Sequence, residues 1–498
     1  MLLSHEQYAN LGRLFPEVIL CAFGLLIMVV DPFVGPARQR ILGWLGFVGS
    51  LAALAAVWVP AHHQGMAYSN LISTDAFSVF LHVVVIAASA LAILGSIDYL
   101  DQEGIQRGEY YALILFATAG MGILAGANEL VTAFVGLEMS SISTYILAGF
   151  RRRAPLSNEA SMKYFLLGSF ATAFFLYGIA MTYGATGTTR IDQVQTFLQG
   201  VQSAGNSLPA LAILGIGLMF VGLGFKVVAA PFQIYAPDVY EGAPTPVTAL
   251  LASAPKAATF AVMLRIFYVA FGPANGTWFW MIWISAILTM FIGNLAALVQ
   301  TNVKRMLAYS SIAHAGYILV AFVAFNESGV AAVLFYLAAY VLMKVGAFLV
   351  LAHLGQRDEQ HLSIRDYAGL GQRQPVLAVC FSLFLLSLLG LPGTAGLFGK
   401  FLAFQAALYA HTTPAYGDAI VWLVVIAAIN SIIGAYYYLR VIVAMYFWDP
   451  STEYSPTPVA PALSVALFLC AAGTIYLGLF PSRVLSLAKA AAESLPLH

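Results

Sequence analysis

Five lysines stand inside long apolar runs, where a charged side chain is unusual. They are Lys163, Lys226, Lys256, Lys344 and Lys400. A lysine at the middle of a lipid bilayer costs about 2.5–3.5 kcal/mol on insertion scales, so several in one chain need a physical reason. Burial favours the neutral amine and a nearby carboxylate favours the ammonium form, so moving one partner switches the lysine between the two forms. This is the chemistry of a proton carrier.

One acid, Glu138, also lies in the middle of an apolar run and has no polar side chain four residues before or after it. A buried carboxylate without a cation is unfavourable, so we expect a lysine from another helix to pair with it. Lys226 and Lys400 follow small residues that let water or backbone come close, and Lys256 follows a proline in its run. We therefore predict these four residues as the proton-transfer group. The alternative is a purely structural buried ion pair.

Three further residues are candidate relays, each with an ordinary structural alternative. Lys163 lies one turn after Glu159, and such a pair also simply supports a helix. Lys344 has no acid near it in the sequence. His314 lies on a polar stripe, where a neutral imidazole can pass a proton between two waters or can be a hydrogen-bonded core residue.

The composition is that of a polytopic membrane protein made of helices. Of 498 residues, 61% are hydrophobic and 9% charged, and the mean hydropathy is +0.86. Apolar stretches of roughly 20 residues, enough to cross the hydrocarbon layer, recur from end to end. Fourteen spans are predicted: 15–33, 40–59, 75–98, 110–126, 129–149, 159–184, 209–240, 244–271, 277–300, 304–325, 328–354, 374–411, 418–447 and 457–480.

Two of these spans are predicted to be broken helices. Pro231 and Pro237 interrupt the seventh, and residues 390–396, with three glycines and a proline, interrupt the twelfth. Broken helices at membrane depth are tolerated where the freed backbone lines a cavity or packs on protein. We expect the first break to open backbone groups that bring water to Lys226.

Apart from these five lysines, the basic residues are distributed unequally between the two sides. One side carries Arg38, Arg40, Arg107, Arg151, Arg152, Arg153, Lys304, Arg305, Arg357, Arg365, Arg373 and Arg440. The other carries Arg13, Arg190, Arg265, Arg483 and Lys489. By the positive-inside rule this predicts an even number of spans with both termini on the periplasmic side.

A lysine-bearing span followed by a broken span with its own lysine occurs twice. Two repeats of five spans each would have opposite orientations, because five is odd. We therefore predict a three-helix segment over 1–108, inverted repeats over 109–272 and 273–448, and a last span with its tail over 449–498.

Several function classes are disfavoured. The 22 basic and 22 acidic residues give no net charge, so nothing indicates nucleic-acid binding. Glycine-rich phosphate loops are absent from the sequence. The three cysteines, Cys21, Cys380 and Cys470, are far apart and form no metal or iron–sulfur motif. We expect no cofactor in this chain.

Three runs carry a family resemblance: Glu129 to Ser143, Asn158 to Gly168 and Ala236 to Val247. Together they resemble the antiporter-like membrane subunits of respiratory complex I, the bacterial proton-translocating NADH:quinone oxidoreductase. The resemblance covers nearly the whole chain. It implies fourteen helices, two inverted five-helix half-channels and a central hydrophilic axis.

The resemblance also implies roles and partners. Glu138 and Lys226 would form the ion pair of the first half-channel, Lys256 the central relay, and Lys400 the terminal proton donor of the second. FMN, iron–sulfur clusters and the quinone reaction would belong to partner subunits. The chain would lie in the inner membrane, in lipid and beside other membrane-arm subunits.

Two alternatives stay open at this point. One is a subunit of an Mrp-type cation/proton antiporter, which shares the fold; those chains usually have a histidine-rich approach to the eighth span, where this chain has Val239-Tyr240-Glu241. The other is a scaffold with vestigial charges, which leaves the retained lysines unexplained.

Overall fold

The computed structural model describes residues 5–35, 38–410, 416–450 and 457–497. The predicted end of the twelfth span at residue 411, part of the predicted C-terminal segment and the two chain ends lie outside the described residues. Within the described part, one two-stranded hairpin accompanies a structure otherwise built of helices. Strands β1 (Gly65–Ala67) and β2 (Ile72–Thr74) pair antiparallel, with Met66 opposite Ser73.

The helices up to the first broken span are α1 (His5–Arg13), α2 (Phe15–Val30), α3 (Arg40–Ala56), α4 (Trp58–His62), α5 (Ala76–Gln102), α6 (Gly108–Gly126), α7 (Leu130–Ala148), α8 (Pro155–Thr186), α9 (Ile191–Ser203), α10 (Ala210–Val227) and α11 (Ala236–Gly242). Those that follow are α12 (Thr245–Met263), α13 (Asn275–Leu298), α14 (Val303–Phe322), α15 (Glu327–Leu354), α16 (Leu370–Arg373), α17 (Pro375–Leu389), α18 (Ala395–Tyr409), α19 (Gly417–Phe447), α20 (Pro461–Leu479) and α21 (Ser482–Glu493).

Twelve helical segments in the described ranges are long and apolar enough to cross a membrane. Each coincides with a predicted span, which confirms a multi-pass helical membrane protein. The other two predicted spans take different forms. The tenth is helix α14, which carries several polar residues, and the twelfth is divided between α17 and α18. The total of fourteen spans stays a prediction.

Both predicted breaks are present. Helix α10 ends just after Lys226, where Val228 adopts a left-handed conformation with φ 63°, and a 3₁₀ turn over Phe232–Tyr235 leads into α11. Pro237 lies in the first turn of α11, where proline is well tolerated, so it begins a helix and does not interrupt one. The second break starts at Gly390, whose φ of 100° glycine adopts freely.

Helices α12, α14 and α15 form the centre of the bundle. In the apolar 18-residue stretch of the segment Thr245–Ala270, which includes α12, every residue is buried. In the corresponding stretch of α19 only 33% of the residues are buried, and its large apolar side chains face outward. Small residues such as Ala, Ser and Thr make up much of α12 and let its neighbours α5, α6 and α15 approach closely. The polar side chains of these central helices must therefore find partners inside the protein.

Candidate proton-transfer site

Lys226 is buried in the last turn of α10 and points into an aromatic cage. Its Nζ donates a hydrogen bond to Tyr145 Oη at 3.1 Å and lies 4.8 Å from the centre of the Tyr145 ring and 5.3 Å from that of Tyr164. Cation–π attraction of this kind stabilises an ammonium group where water is excluded. The cage therefore holds Lys226 without a salt bridge to any carboxylate of the described residues.

The expected ion pair between Glu138 and Lys226 is not formed in this structure. No carboxylate oxygen in the described part of the chain lies within 4.0 Å of Lys226 Nζ, and Glu138 Oε1 is buried without a hydrogen-bond partner. The physical reason is the position of Tyr145, which lies two helical turns after Glu138 on the same face of α7. Its hydroxyl accepts the hydrogen bond from Lys226 Nζ. Glu138 and Lys226 thus form no direct hydrogen bond or salt bridge with each other.

A small cavity leads from Lys226 toward the next lysine-bearing helix. Its volume is about 10 Å³, room for roughly one water molecule. Ser141 and Thr144 of α7 line one side, and Pro255 and Thr259 of α12 line the other. Pro255 directly precedes Lys256, but the cavity itself is lined by Lys226 and not by Lys256, whose Nζ is bonded to Ser311.

Lys256 is fully buried on α12 and bonds to α14. Its Nζ donates to the carbonyl oxygen of Ser311 at 2.7 Å and to Ser311 Oγ at 2.8 Å. Ser311 Oγ also shares a hydrogen bond of 2.6 Å with Tyr340 Oη on α15. The lysine is therefore the first member of a hydrogen-bonded group that crosses three helices.

Lys344, on α15, has the same kind of environment as Lys256 and bonds to α14 about one turn before Ser311. Its Nζ donates to the carbonyl oxygen of Leu307 at 2.7 Å and to Ser310 Oγ at 2.9 Å. Ser310 Oγ in turn shares a hydrogen bond of 2.5 Å with Tyr438 Oη on α19. Lys344 thus joins the polar face of α14, although the sequence offers it no local acid.

His314 continues this chain from the same face of α14. Its Nδ1 lies 2.8 Å from Tyr336 Oη and its Nε2 lies 3.1 Å from Tyr438 Oη. Leu307, Ser310 and His314 recur at helical spacing, so they share one face of α14. Both ring nitrogens touch hydroxyls that can donate or accept, which is the arrangement a proton relay requires.

Lys400 lies in α18, just after the second break. Its Nζ donates to the carbonyl oxygen of Leu389 and to Ser431 Oγ, both at 2.8 Å, and lies 4.8 Å from the centre of the Tyr317 ring. The break frees the Leu389 carbonyl from its helical partner, because α17 ends there. Here the interrupted backbone itself binds the lysine.

Lys163 is not brought to this group. Its side chain is 40% exposed, and its Nζ pairs with Glu159 at 2.7 Å, as the sequence spacing allowed, and with Asp238 of α11 at 2.6 Å. Asp238 also pairs with Arg305 at 2.9 Å. Lys163 therefore belongs to a charge cluster at one end of the bundle.

The first break does not open its backbone to water as we expected. The Ala230 N–H donates to Thr289 Oγ1 at 2.7 Å, and the Ala230 carbonyl accepts from Ser285 Oγ at 2.5 Å, both hydroxyls belonging to α13. These freed groups are already satisfied, so the expectation is wrong for Ala230. The cavity on the α12 side of Lys226 is the space for water at this lysine.

A buried ionic network was not predicted from the sequence, where Lys304 was counted only among the basic residues of one membrane side. Lys304 Nζ lies 2.7 Å from Glu359 Oε2, and Arg151 contacts the same oxygen at 3.2 Å and Glu103 at 3.1 Å. Burial raises the pKa of Glu359, but Lys304, Arg151 and a hydrogen bond from Thr245 outweigh it and hold the pKa below its usual value. The partners are distant in sequence, so no spacing indicated the network.

The tyrosines and serines that form hydrogen bonds with these lysines, with His314 or with one another were also missed as site residues. They are Tyr145, Ser310, Ser311, Tyr336, Tyr340, Ser431 and Tyr438. The serines next to His314 in the sequence were a usable signal, because they extend its polar stripe. The tyrosines come from other helices, and their pairing depends on the packing of the bundle.

Comparison with known proteins places this geometry in a family. Residues 127–434 match the family model described as NADH:quinone oxidoreductase/Mrp antiporter, TM. The NADH-quinone oxidoreductase subunit N 1 of Solibacter usitatus is 47% identical over 97% of this chain and 97% of its own. A chain of respiratory complex I from Thermus thermophilus with bound aureothin superposes with a TM-score of 0.78 at 34% identity, covering 95% of this chain and 99% of that one.

A chain of the Mrp complex from Dietzia has the same fold, with a TM-score of 0.82, but only 22% identity, over 98% of this chain and 97% of that one. The fold is therefore common to both classes, and sequence identity favours the oxidoreductase. On the family model and the full-length relative together, this chain belongs to the NADH:quinone oxidoreductase/Mrp antiporter family of membrane proteins.

Proposed function

We propose that this chain is the N subunit of a proton-translocating NADH:quinone oxidoreductase and conducts protons through its buried lysines. The observation that carries the proposal is the polar face of α14, which carries His314 and binds Lys256 and Lys344 inside an otherwise apolar bundle. A structural ion pair needs one acid for each lysine, and these two lysines bond only to hydroxyl and carbonyl oxygens.

In this proposal the four lysines and His314 divide the path into steps. Lys226 receives a proton near Glu138 and passes it through the small cavity toward Lys256. The α14 hydroxyls and His314 carry it on to Lys344 and then toward Lys400. Neutral and charged lysines differ by one proton, so each step moves one proton and leaves the donor neutral.

The electron-transfer chemistry belongs to other subunits in this proposal. Those subunits would hold FMN and the iron–sulfur clusters and act on the quinone, while the signal would reach this chain through its contacts in the membrane arm. Cys21, Cys380 and Cys470 are widely separated in the sequence, which supports this division.

The proposed location is the inner membrane of a bacterium, with both termini on the periplasmic side. The unequal distribution of arginine supports this orientation. The proposed repeats, 109–272 and 273–448, each contain one broken helix. Lys226 precedes its break and Lys400 follows its own, so the two lysines do not occupy equivalent positions in the proposed repeats.

The test is proton pumping by the intact complex in sealed vesicles with Lys256→Met. Loss of the central lysine should lower pumping by about tenfold or more, because a positioned proton-transfer group contributes about 10²–10⁴-fold. The matched control is Lys489→Met, which removes an exposed lysine of α21. Wild-type pumping by the Lys256 variant would refute the proposed path.

Purification of the native complex separates the two transporter classes. Co-purifying chains that bind flavin and oxidise NADH would support the oxidoreductase. Recovery of only other hydrophobic antiporter chains would favour the Mrp-type function.

A further inference from the structure

A buried acid–histidine pair lies in the N-terminal helices, apart from the lysines. Glu17 on α2 is 4% exposed and His82 on α5 is 6% exposed, and His82 Nε2 forms a hydrogen bond with Glu17 Oε1. Gly122 on α6 faces the contact, and a Cβ atom at that position would collide with Glu17 Oε1. Three helices therefore leave a space shaped for this pair.

The hydrogen bonds fix the number of protons on the pair. His82 Nδ1 lies 2.5 Å from the carbonyl oxygen of Ser78, and because a carbonyl only accepts, Nδ1 must carry a hydrogen. With Nδ1 protonated, the Nε2 atom of a neutral ring only accepts, as does an ionised carboxylate. One further proton must therefore sit between His82 Nε2 and Glu17 Oε1, on either atom.

We propose that Glu17 and His82 form a proton-binding site that holds one exchangeable proton, separate from the lysines. Removal of that proton would leave two acceptors facing each other and an uncompensated negative charge. Glu17 Oε2 is buried and has no hydrogen-bond partner among the described residues, so no second donor stabilises a bare carboxylate. The site is therefore neutral when it is loaded with its proton.

The site has a polar connection to one end of the bundle. The Ser78 N–H donates to Asp75 Oδ1 at 2.7 Å, and the Asp75 side chain, 15% exposed, also accepts two hydrogen bonds of 2.8 Å from Arg265. The Cys21 thiol, one turn after Glu17 on α2, is a further ionisable group near the pair. The pair thus lies within two helical turns of the partly exposed Asp75 at the start of α5.

The experiment uses the resting, assembled complex and does not depend on pumping. Infrared spectra report a protonated carboxyl, and nitrogen NMR of ¹⁵N-histidine reports an imidazolium. At about pH 8, above the usual histidine pKa of about 6.5, wild type should show one of these two signals. Glu17→Gln should abolish it, because the amide N–H can donate to a neutral His82 without an extra proton.

Two matched variants assign the signal. Glu109→Gln changes an exposed glutamate, and His353→Gln removes another buried histidine, so both should keep it. A wild-type complex with neither signal at about pH 8 would overturn the proposal. If Glu17→Gln does not assemble, Gly122→Ala serves instead: it crowds the contact and should make the signal disappear at a lower pH than in wild type, and an unchanged pH would also overturn the proposal.

Discussion

At both broken helices, backbone groups that have lost their helical partners form other hydrogen bonds, and the two breaks differ in the groups that supply these bonds. At the first break, the freed N–H and carbonyl of Ala230 bond to Thr289 and Ser285, and Lys226 turns away to the Tyr145 hydroxyl. At the second break, the freed carbonyl of Leu389 binds Lys400 directly. One break is closed by side chains of a neighbouring helix, and the other is part of the lysine site.

This difference shows that a helix break in a membrane does not by itself create a wet or functional site. What matters is which group forms the hydrogen bond with the freed backbone. Where a hydroxyl of a neighbouring helix forms that bond, the lysine bonds to a different side chain. Where no hydroxyl reaches the carbonyl, the lysine supplies the hydrogen bond.

The largest effect is expected from Lys226→Ala. The cage then loses the amine that carries the proton in the proposed path, so pumping should fall by about tenfold or more, and NADH:quinone activity coupled to it should fall as well. Glu138→Ala should lower pumping less, because the structure holds Lys226 through Tyr145. Measurements in sealed vesicles, with Lys489→Ala as control, give the ranking. Equal and complete losses in both variants would indicate a Glu138–Lys226 pair during turnover.

At the second break, Lys400→Arg tests charge against proton release. Arginine keeps a donor for the Leu389 carbonyl, but a guanidinium does not deprotonate in proteins, so pumping should fall by about threefold to tenfold while assembly survives. The readout is the proton-to-electron ratio. A wild-type ratio would mean that Lys400 is only a structural cation at the break.

The third prediction compares the partners of the two lysines. Tyr145→Phe removes the hydroxyl that accepts from Lys226, whereas Ser431→Ala leaves Lys400 its bond to Leu389. The net contribution of a typical hydrogen bond is about 0.5–1.5 kcal/mol, so pumping should fall by about twofold to tenfold in the tyrosine variant and by less in the serine variant. The reverse order would show that the backbone carbonyl contributes little to the second site.

The smallest effect on pumping is expected from Thr289→Val, which acts on stability. The Ala230 N–H loses its acceptor, which should cost about 1–3 kcal/mol and lower the thermal midpoint of the complex. Thr474→Val is the control, because Thr474 Oγ1 bonds only to a carbonyl of its own helix. Similar midpoints for the two variants would show that water replaces the hydroxyl at the first break.

Much of the architecture followed from the sequence by itself. Apolar length specified the membrane spans, because a helix that crosses lipid needs about 20 apolar residues whatever surrounds it. Glycine and proline located both breaks, since they act on the local backbone. The cost of burying charge pointed to the lysines, and the serines beside His314 indicated the polar stripe.

Only the tertiary structure decided which group each charge meets. The sequence predicted an ion pair between Glu138 and Lys226, but Lys226 donates its hydrogen bond to Tyr145, which lies on the same helix as Glu138. Lys163 looked like a member of the axis, but it lies half-exposed beside Asp238. Hydrogen bonds form only within about 3 Å, and helix packing sets those distances between residues far apart in the chain. The sequence thus determined which residues are costly to bury, and the packing of the helices determined how each is satisfied.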